Sequence, residues 1–284
     1  MSWTVPVKIK IKMYEAYWGL TEKPFVNTPD PKFLYYSKEH EEAFSRLMYA
    51  VQSNLGGCML TGVFGCGKTL LNQTLVETLE KMGNYKVAFI ANPFLSHVEL
   101  LRMVVYSLGA SNLPEKRTEI LTDFLLQKLD EILRNNNNDG KDTVVIIDEA
   151  HIIEDKLIFE ELRLLLNFQL KDKFLITLIL SGQPELKKNV DNIKQLSQRI
   201  PVKCHLERFD LEDTRNYILH RLKVAGRTHP VFNEEAHNII YQRSGGIPRR
   251  INNICDMSLL VGFSKNVELI NEDIVNDVVR DLES

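Results

Sequence analysis

The chain has 284 residues, 44% hydrophobic and 26% charged, with a formal net charge of -3, the balance of a soluble globular protein with room for one large domain or one large and one small. That near-neutral charge gives no global case for nucleic acid. No apolar run approaches the roughly 20 residues that span a bilayer, and no signal-peptide core opens the chain. Cys58, Cys66, Cys204 and Cys255 lack C-x-x-C spacing, so neither zinc nor a disulfide framework is indicated, and reduced thiols in a cytoplasmic protein are expected.

Residues 13–36 are rich in aromatics and proline, which argues against a helix and for a segment strapped over a domain surface. A helix follows, with Ser37 as N-cap and Ala43, Phe44, Leu47, Met48 and Val51 on one face. The pattern then gives a strand at 57–61, a helix at 67–82, a strand at 87–91, and helices at about 97–108 and 118–134. The run Asn135–Gly140 reads as a solvated turn. Next come the strand Thr143–Ile147, a helix near 155–170, the strand Phe174–Ser181, a helical stretch to Arg199, and the strand Val202–Leu206. Strands alternating with helices predict a doubly wound parallel α/β sheet. From about 210 the strand signal stops, and four helices are expected near 211–225, 233–243, 247–263 and 271–282, with Asn233 and Asn271 as caps. The expected partition is 1–50 as a strap and first helix packing on the base, 51–208 as the α/β base, and 209–284 as an all-helical lid.

Residues Gly62-Val63-Phe64-Gly65-Cys66-Gly67-Lys68-Thr69 spell G-x-x-x-x-G-K-[ST] between a strand and a helix that opens with Leu70. This is the context a phosphate-binding loop needs: backbone N–H groups curl around the anion, which faces a helix N-terminus. Lys68 would reach the β- and γ-phosphates, and the Thr69 hydroxyl would ligate Mg²⁺. The strand ending in Asp148-Glu149 reads as buried on both faces, which brings its carboxylates to the ligand-binding edge of the sheet. Asp148 suits the Mg²⁺ shell, and Glu149 can orient or deprotonate the attacking water. A helix cap is the plainer reading of such an acidic pair, and the phosphate loop outweighs it. Cys66 reads first as a small side chain that fits the loop; the alternative is a thiol whose pKa the helix N-terminus lowers, open to alkylation when nucleotide is absent. The ligands implied are ATP and Mg²⁺.

With these motifs the architecture resembles a P-loop NTPase of the AAA+ class. The segments Pro24–Pro31, Ser37–Ala43, Ile146–Ala150, Gly182-Gln183-Pro184-Glu185-Leu186 and Gly245-Gly246-Ile247-Pro248-Arg249-Arg250 together resemble the bacterial ExeA/GspA family, AAA+ ATPases named for the general secretion pathway. The resemblance runs from about Met13 to the C-terminus. It implies Gln183 as the sensor-1 residue on the γ-phosphate or attacking water. It implies Arg199 as an arginine finger acting on a neighbouring subunit's ATP, and Arg249 as sensor 2, with Arg250 the alternative. Asn92, ending the second strand, would be the polar switch on Glu149. Residues 1–12 precede the family's usual start. Several relatives continue into a membrane helix and periplasmic region; this chain ends at Ser284, so an envelope-spanning role is not expected.

The expectation is therefore an oligomeric, Mg²⁺-dependent ATPase acting as a switch or assembly motor of secretion type, cytoplasmic or peripheral to the inner membrane through a partner. The absence of an N-K-x-D motif disfavours guanine. The competing class is a DNA-binding AAA+ regulator of transposition-type target choice. It draws on Arg215, Arg221, Lys223, Arg227, Arg243, Arg249 and Arg250, which outnumber Glu234 and Glu235, although a solvated helix face explains them more simply. A nucleotide-gated scaffold with negligible turnover is a third reading, which Glu149 opposes. No stretch names a protein client.

Overall fold

A computed structural model describes residues 14–111, 113 and 122–283. Within it the chain forms two units: residues 29–207, and a helical unit of residues 208–283 joined by the strap that ends at Thr28. The expectations for residues 1–12 and for helix at 118–121 lie outside the described residues.

The first unit is built on five parallel strands, β1 (Gly57–Gly62), β2 (Tyr85–Ile90), β3 (Asp142–Ile147), β4 (Ile176–Gly182) and β5 (Val202–Leu206), in the order β2-β3-β4-β1-β5. β1, β3 and β4 are buried along nearly their whole length, as near-continuous apolar runs covered on both faces must be. Alternate residues supply two cores. Cys58, Leu60, Val144, Ile146 and Ile179 pack with α1 (Lys38–Gln52) and α2 (Lys68–Met82). Met59, Val145, Ile147, Leu178 and Leu180 pack on the other side with α3 (His97–Ser107), α4 (Thr122–Asn138) and α5 (Lys156–Leu165). The short helices α6 (Glu185–Asp191) and α7 (Lys194–Ser197) occupy the stretch expected to be helical up to Arg199.

Local sequence accounts for most boundaries. Ser37 accepts from His40 N–H to open α1, and Ser96 and Glu99 form a reciprocal capping box on α3. Gly83, at φ +79°, ends α2 in the left-handed region. The asparagine run is a correction: α4 continues through Asn138, and the buried Asn136 donates to Thr143 Oγ1 at 3.0 Å. One tertiary hydrogen bond and burial override the turn preference of the run.

The helical unit contains α8 (Leu211–Val224), α9 (Glu234–Ser244), α10 (Pro248–Ser264) and α11 (Glu272–Glu283), close to the four expected spans. Asn233 and Asn271 cap α9 and α11 through Ala236 N–H and Ile274 N–H. The strap from Tyr14 to Thr28 belongs here rather than to the α/β base on which it was expected to pack. Buried Trp18 donates to Leu259 O at 2.9 Å, Tyr14 bonds Asp256, and Tyr17 donates to Val267 O at 2.7 Å. The buried Arg221 donates to Pro24 O and, at 3.0 Å, to Val26 O. Aromatic and proline content marked this segment as a strap, but not the surface that receives it.

Candidate nucleotide-binding site

The register places the ends of four strands together. Thr61 pairs with Gly182, Gly62 with Leu206, and Ile147 with Leu180. The phosphate loop, Asp148-Glu149 and Gln183 therefore leave the same C-terminal edge of the sheet, where open α/β sheets hold their ligands.

The loop is shaped by its glycines. A Cβ on Gly62 would lie 2.7 Å from Cys66 Sγ and 2.8 Å from Leu206 O, so no side chain fits. Gly65 and Gly67 adopt φ of +83° and +100°, conformations that glycine reaches without strain. Gly67 sits at the N-cap of α2, and the backbone N–H groups of that helix's first turn have no carbonyl of their own turn to bond. Lys68 is 5% exposed and donates from Nζ to Gly62 O at 2.9 Å and Val63 O at 3.0 Å. Its ammonium is held at the mouth of the loop by carbonyls rather than by a carboxylate. Phe64, at the loop tip, is exposed.

Behind the loop, Thr69 Oγ1 donates to Asp148 Oδ2 at 2.6 Å, and Asn72 Nδ2 approaches Asp148 Oδ1 at 3.4 Å. Asp148 is 1% exposed, and its hydrogen-bond partners, including Glu149 N–H, are neutral donors. A buried carboxylate beside a hydroxyl, both hard oxygens, fits Mg²⁺, which takes one or two protein oxygens and keeps several waters. Among the described residues no cluster of three His, Cys, Asp or Glu forms a self-sufficient metal site, so such an ion would depend on phosphate oxygens as well.

Glu149 has φ +51°, an uncommon conformation for a residue with a side chain and one that gathers at functional sites. It turns the chain into a single 3-10 turn, Ala150–Ile152. His151, on that turn, places Nδ1 3.3 Å from Glu149 Oε2 and Nε2 2.8 Å from Gln183 Nε2. The sequence reading missed His151, although a histidine three residues beyond Asp148 on a tight turn was visible. Asn92 was expected on Glu149. Instead it is exposed and accepts from Phe94 N–H at 3.1 Å; β2 ends at Ile90, two residues short of it.

His40 was also missed as a site residue. Its Nε2 lies 3.1 Å from Cys66 O and its Nδ1 2.8 Å from Ser37 Oγ. Only a ring N–H can face a carbonyl, so Nε2 carries the proton and α1 props the loop from below. For Cys66 the plain reading, a small side chain that fits the loop, holds, and the reactive alternative does not. The thiol is fully buried, and burial pushes its pKa up despite the neighbouring Lys68 ammonium. The favourable helix terminus loses to desolvation.

Arg199 lies elsewhere. Its carbonyl oxygen approaches Gly57, the first residue of β1, at the sheet edge opposite the loop, and its guanidinium donates to Asn167 Oδ1 at 2.6 Å. It therefore does not join its own chain's cluster at the C-terminal edge. Arg249 and Arg250 stand exposed in the first turn of α10 in the helical unit. There Gly246 O accepts from Phe209 N–H at 2.9 Å, and a Cβ on Gly246 would come within 1.9 Å of Phe209 O. The Gly-Gly-Ile-Pro-Arg segment thus depends on a glycine that nothing larger can replace.

Comparison with known proteins agrees with this geometry. The AAA domain family matches residues 51–190. General secretion pathway protein A of Aeromonas hydrophila is 37% identical over 256 residues, 89% of this chain, and the chain spans 45% of that relative's length. Among solved structures, the Aeropyrum pernix ORC2 protein superposes with a TM-score of 0.70 at 19% identity, covering 93% of this chain and 72% of that one. The Drosophila ORC bound to DNA gives 0.72 at 16% identity, covering 100% and 70%. At such identities the solved structures speak for the fold alone, a P-loop NTPase sheet with a helical C-terminal region, while the secretion relative extends along almost the whole chain. The chain thus carries an AAA domain in an AAA+ P-loop fold and is similar along 89% of its length to general secretion pathway protein A.

Proposed function

We propose that the chain is a Mg²⁺-dependent ATPase that works as an oligomeric switch or assembly motor of secretion or envelope-assembly type, with each site completed by Arg199 of a neighbouring copy. The observation that carries the reading is the bond between Thr69 and Asp148, 2.6 Å long, behind a glycine-shaped loop that holds Lys68. Thr69 and Asp148 would hold Mg²⁺, which when bound would neutralise charge on the phosphate oxygens. Lys68 exchanges its two loop carbonyls for phosphate oxygens, and the loop N–H groups cradle the rest. Glu149 takes or orients the proton of the attacking water, and Gln183 holds that water or the γ-phosphate. Arg199, at the far edge of its own sheet, supplies a planar cation to the next subunit's phosphoryl group. Arg249 keeps the nucleotide-sensing role that the family resemblance gives it.

Among the described residues no helix is long and apolar enough to cross a membrane. A cytoplasmic chain docked on the inner membrane through a partner is part of the same proposal. The DNA-regulator reading is the weaker one. Its support is the exposed pair Arg249 and Arg250 and a structural neighbour described as bound to DNA. Against it, Arg221 is buried on the strap carbonyls, and Arg215 pairs with Glu234. ATP turnover with Mg²⁺ and with chelator, with and without duplex DNA, tests both readings. The proposal predicts turnover that needs Mg²⁺, is lost in Glu149→Gln and is indifferent to DNA. Stimulation by DNA that fades steeply with salt would favour the regulator.

A further inference from the structure

His151 stands between the two side chains that hydrolysis would use, and no role has so far been given to it. Its Nε2 is 2.8 Å from Gln183 Nε2 and its Nδ1 is 3.3 Å from Glu149 Oε2. We propose that His151 is a positioning residue that couples Gln183 to Glu149, so that occupation of the γ-phosphate position sets the carboxylate that activates water. The inference rests on the hydrolytic reading of Glu149 and Gln183 given above.

The hydrogen-bond inventory allows one consistent arrangement for a neutral ring. Gln183 donates one amide N–H to the Nε2 lone pair, which leaves the proton on Nδ1, directed at the Glu149 carboxylate. The reverse amide orientation would put the proton on Nε2 and face a bare Nδ1 toward a carboxylate, two acceptors in opposition. The Gln183 amide has a second N–H, so it can hold the ring and a phosphate oxygen together. Nδ1 is buried and makes no hydrogen bond of good geometry among the described residues, which leaves it poised for a small turn of Glu149. The side chain of His151 is 12% exposed and that of Glu149 is 32% exposed, so water competes poorly for the ring and better for the carboxylate.

The backbone around the ring is built to keep it there. A Cβ on Gly182 would come within 3.0 Å of His151 N and 3.2 Å of Nδ1, so β4 and the 3-10 turn approach this closely only because residue 182 is glycine. The left-handed Glu149, at φ +51°, bends the chain so that residues 149 and 151 face each other. The three side chains therefore form a line from the sensor position to the base, and each member restrains the next.

The test combines steady-state kinetics with histidine spectroscopy on the full chain. His151→Ala is expected to lower kcat about 10–100-fold, the usual cost of losing an orienting partner, with KM for ATP within about twofold. His151→Gln, whose amide can accept from Gln183 and donate to Glu149, recovers most of kcat. The double variant His151→Ala/Gln183→Ala is no slower than the slower single variant, because coupled residues are not additive. Multiplying losses, equal effects on KM and kcat, or no recovery in His151→Gln would overturn the coupling. Independently of turnover, the ring nitrogen-15 resonances of His151, assigned by their absence in His151→Gln, are expected to separate a non-hydrolysable ATP analogue from ADP, and to lose that difference in Gln183→Ala. A wild type without turnover but with this response would sink the hydrolytic reading and keep the coupling. A His151 signal blind to the third phosphate would sink the coupling itself.

Discussion

His40 Nε2 lies 3.1 Å from the carbonyl oxygen of Cys66, so helix α1 holds the phosphate loop through one buried imidazole. The ring is nine-tenths or more enclosed, and burial lowers its pKa; the Cys66 carbonyl and Glu39 pull the other way and are outweighed.

An acid limb in stability follows. In the unfolded chain this histidine takes its proton near pH 6.5, about the ordinary value, while in the fold it takes it only at lower pH. Between those values the unfolded state binds the extra proton, so acid favours unfolding. Stability is full above about pH 6.5 and falls as pH drops through the folded pKa. His237, in the helical unit, is also lowered by burial and adds its own share. Thermal unfolding of wild type and His40→Gln across this range isolates the His40 part: the variant's acid limb should be shallower. Equal slopes would contradict the account.

Gly62→Ala tests the loop's geometry. The new methyl would meet Cys66 Sγ at 2.7 Å and Leu206 O at 2.8 Å. Overpacking of this kind costs about 1–3 kcal/mol. The expected result is a melting point several degrees lower and ATP affinity reduced at least about tenfold. Adding Cys66→Ala removes one clash and leaves the Leu206 carbonyl, so recovery should be small.

Thr69→Val keeps the shape of the side chain and deletes the hydroxyl that bonds Asp148. Titration of ATP with Mg²⁺ should show about a tenfold loss of affinity, while titration of ATP in chelator should barely change. Equal losses in both would mean that Thr69 supports the loop rather than the metal.

Arg221→Ala should free the strap. Arg221 is 4% exposed, and its guanidinium donates to Pro24 O, Val26 O and Tyr217 OH. Leaving these buried acceptors unmet costs about 2–4 kcal/mol. In a Trp3→Phe background Trp18 reports alone. Its emission should shift to the red at a lower denaturant concentration than in the parent.

The geometry of the phosphate loop and its acidic neighbours was legible because it is local in sequence. The glycine spacing, Lys68, Thr69 and the Asp148-Glu149 pair each sit on a strand end whose apolar run announces it. The five parallel strands and four helices of the second unit came from the same periodicities. What escaped depended on distant partners. Nothing near Trp18 says that its indole N–H will find Leu259, 241 residues on. Nothing near Asn136 announces Thr143 as its partner, so the asparagine run read as a turn. His40 and His151 looked like ordinary helix and turn residues until the fold brought Cys66, Gln183 and Glu149 to their ring nitrogens. At Cys66 the helix terminus that lowers a thiol's pKa competes with the burial that raises it, and burial wins.

The central claim is a hydrolytic site completed between copies, and mixing two crippled variants tests it most directly. Glu149→Gln lacks the base and keeps Arg199; Arg199→Ala lacks the cation and keeps Glu149. Each alone should turn over ATP at a small fraction of the wild-type rate. In an equal mixture that exchanges subunits, about a quarter of head-to-tail interfaces pair an intact Glu149 with an intact Arg199, so activity should return toward that share. A mixture no faster than its parts, while Arg199→Ala alone remains fully active, would contradict the claim and leave each chain to hydrolyse ATP unaided.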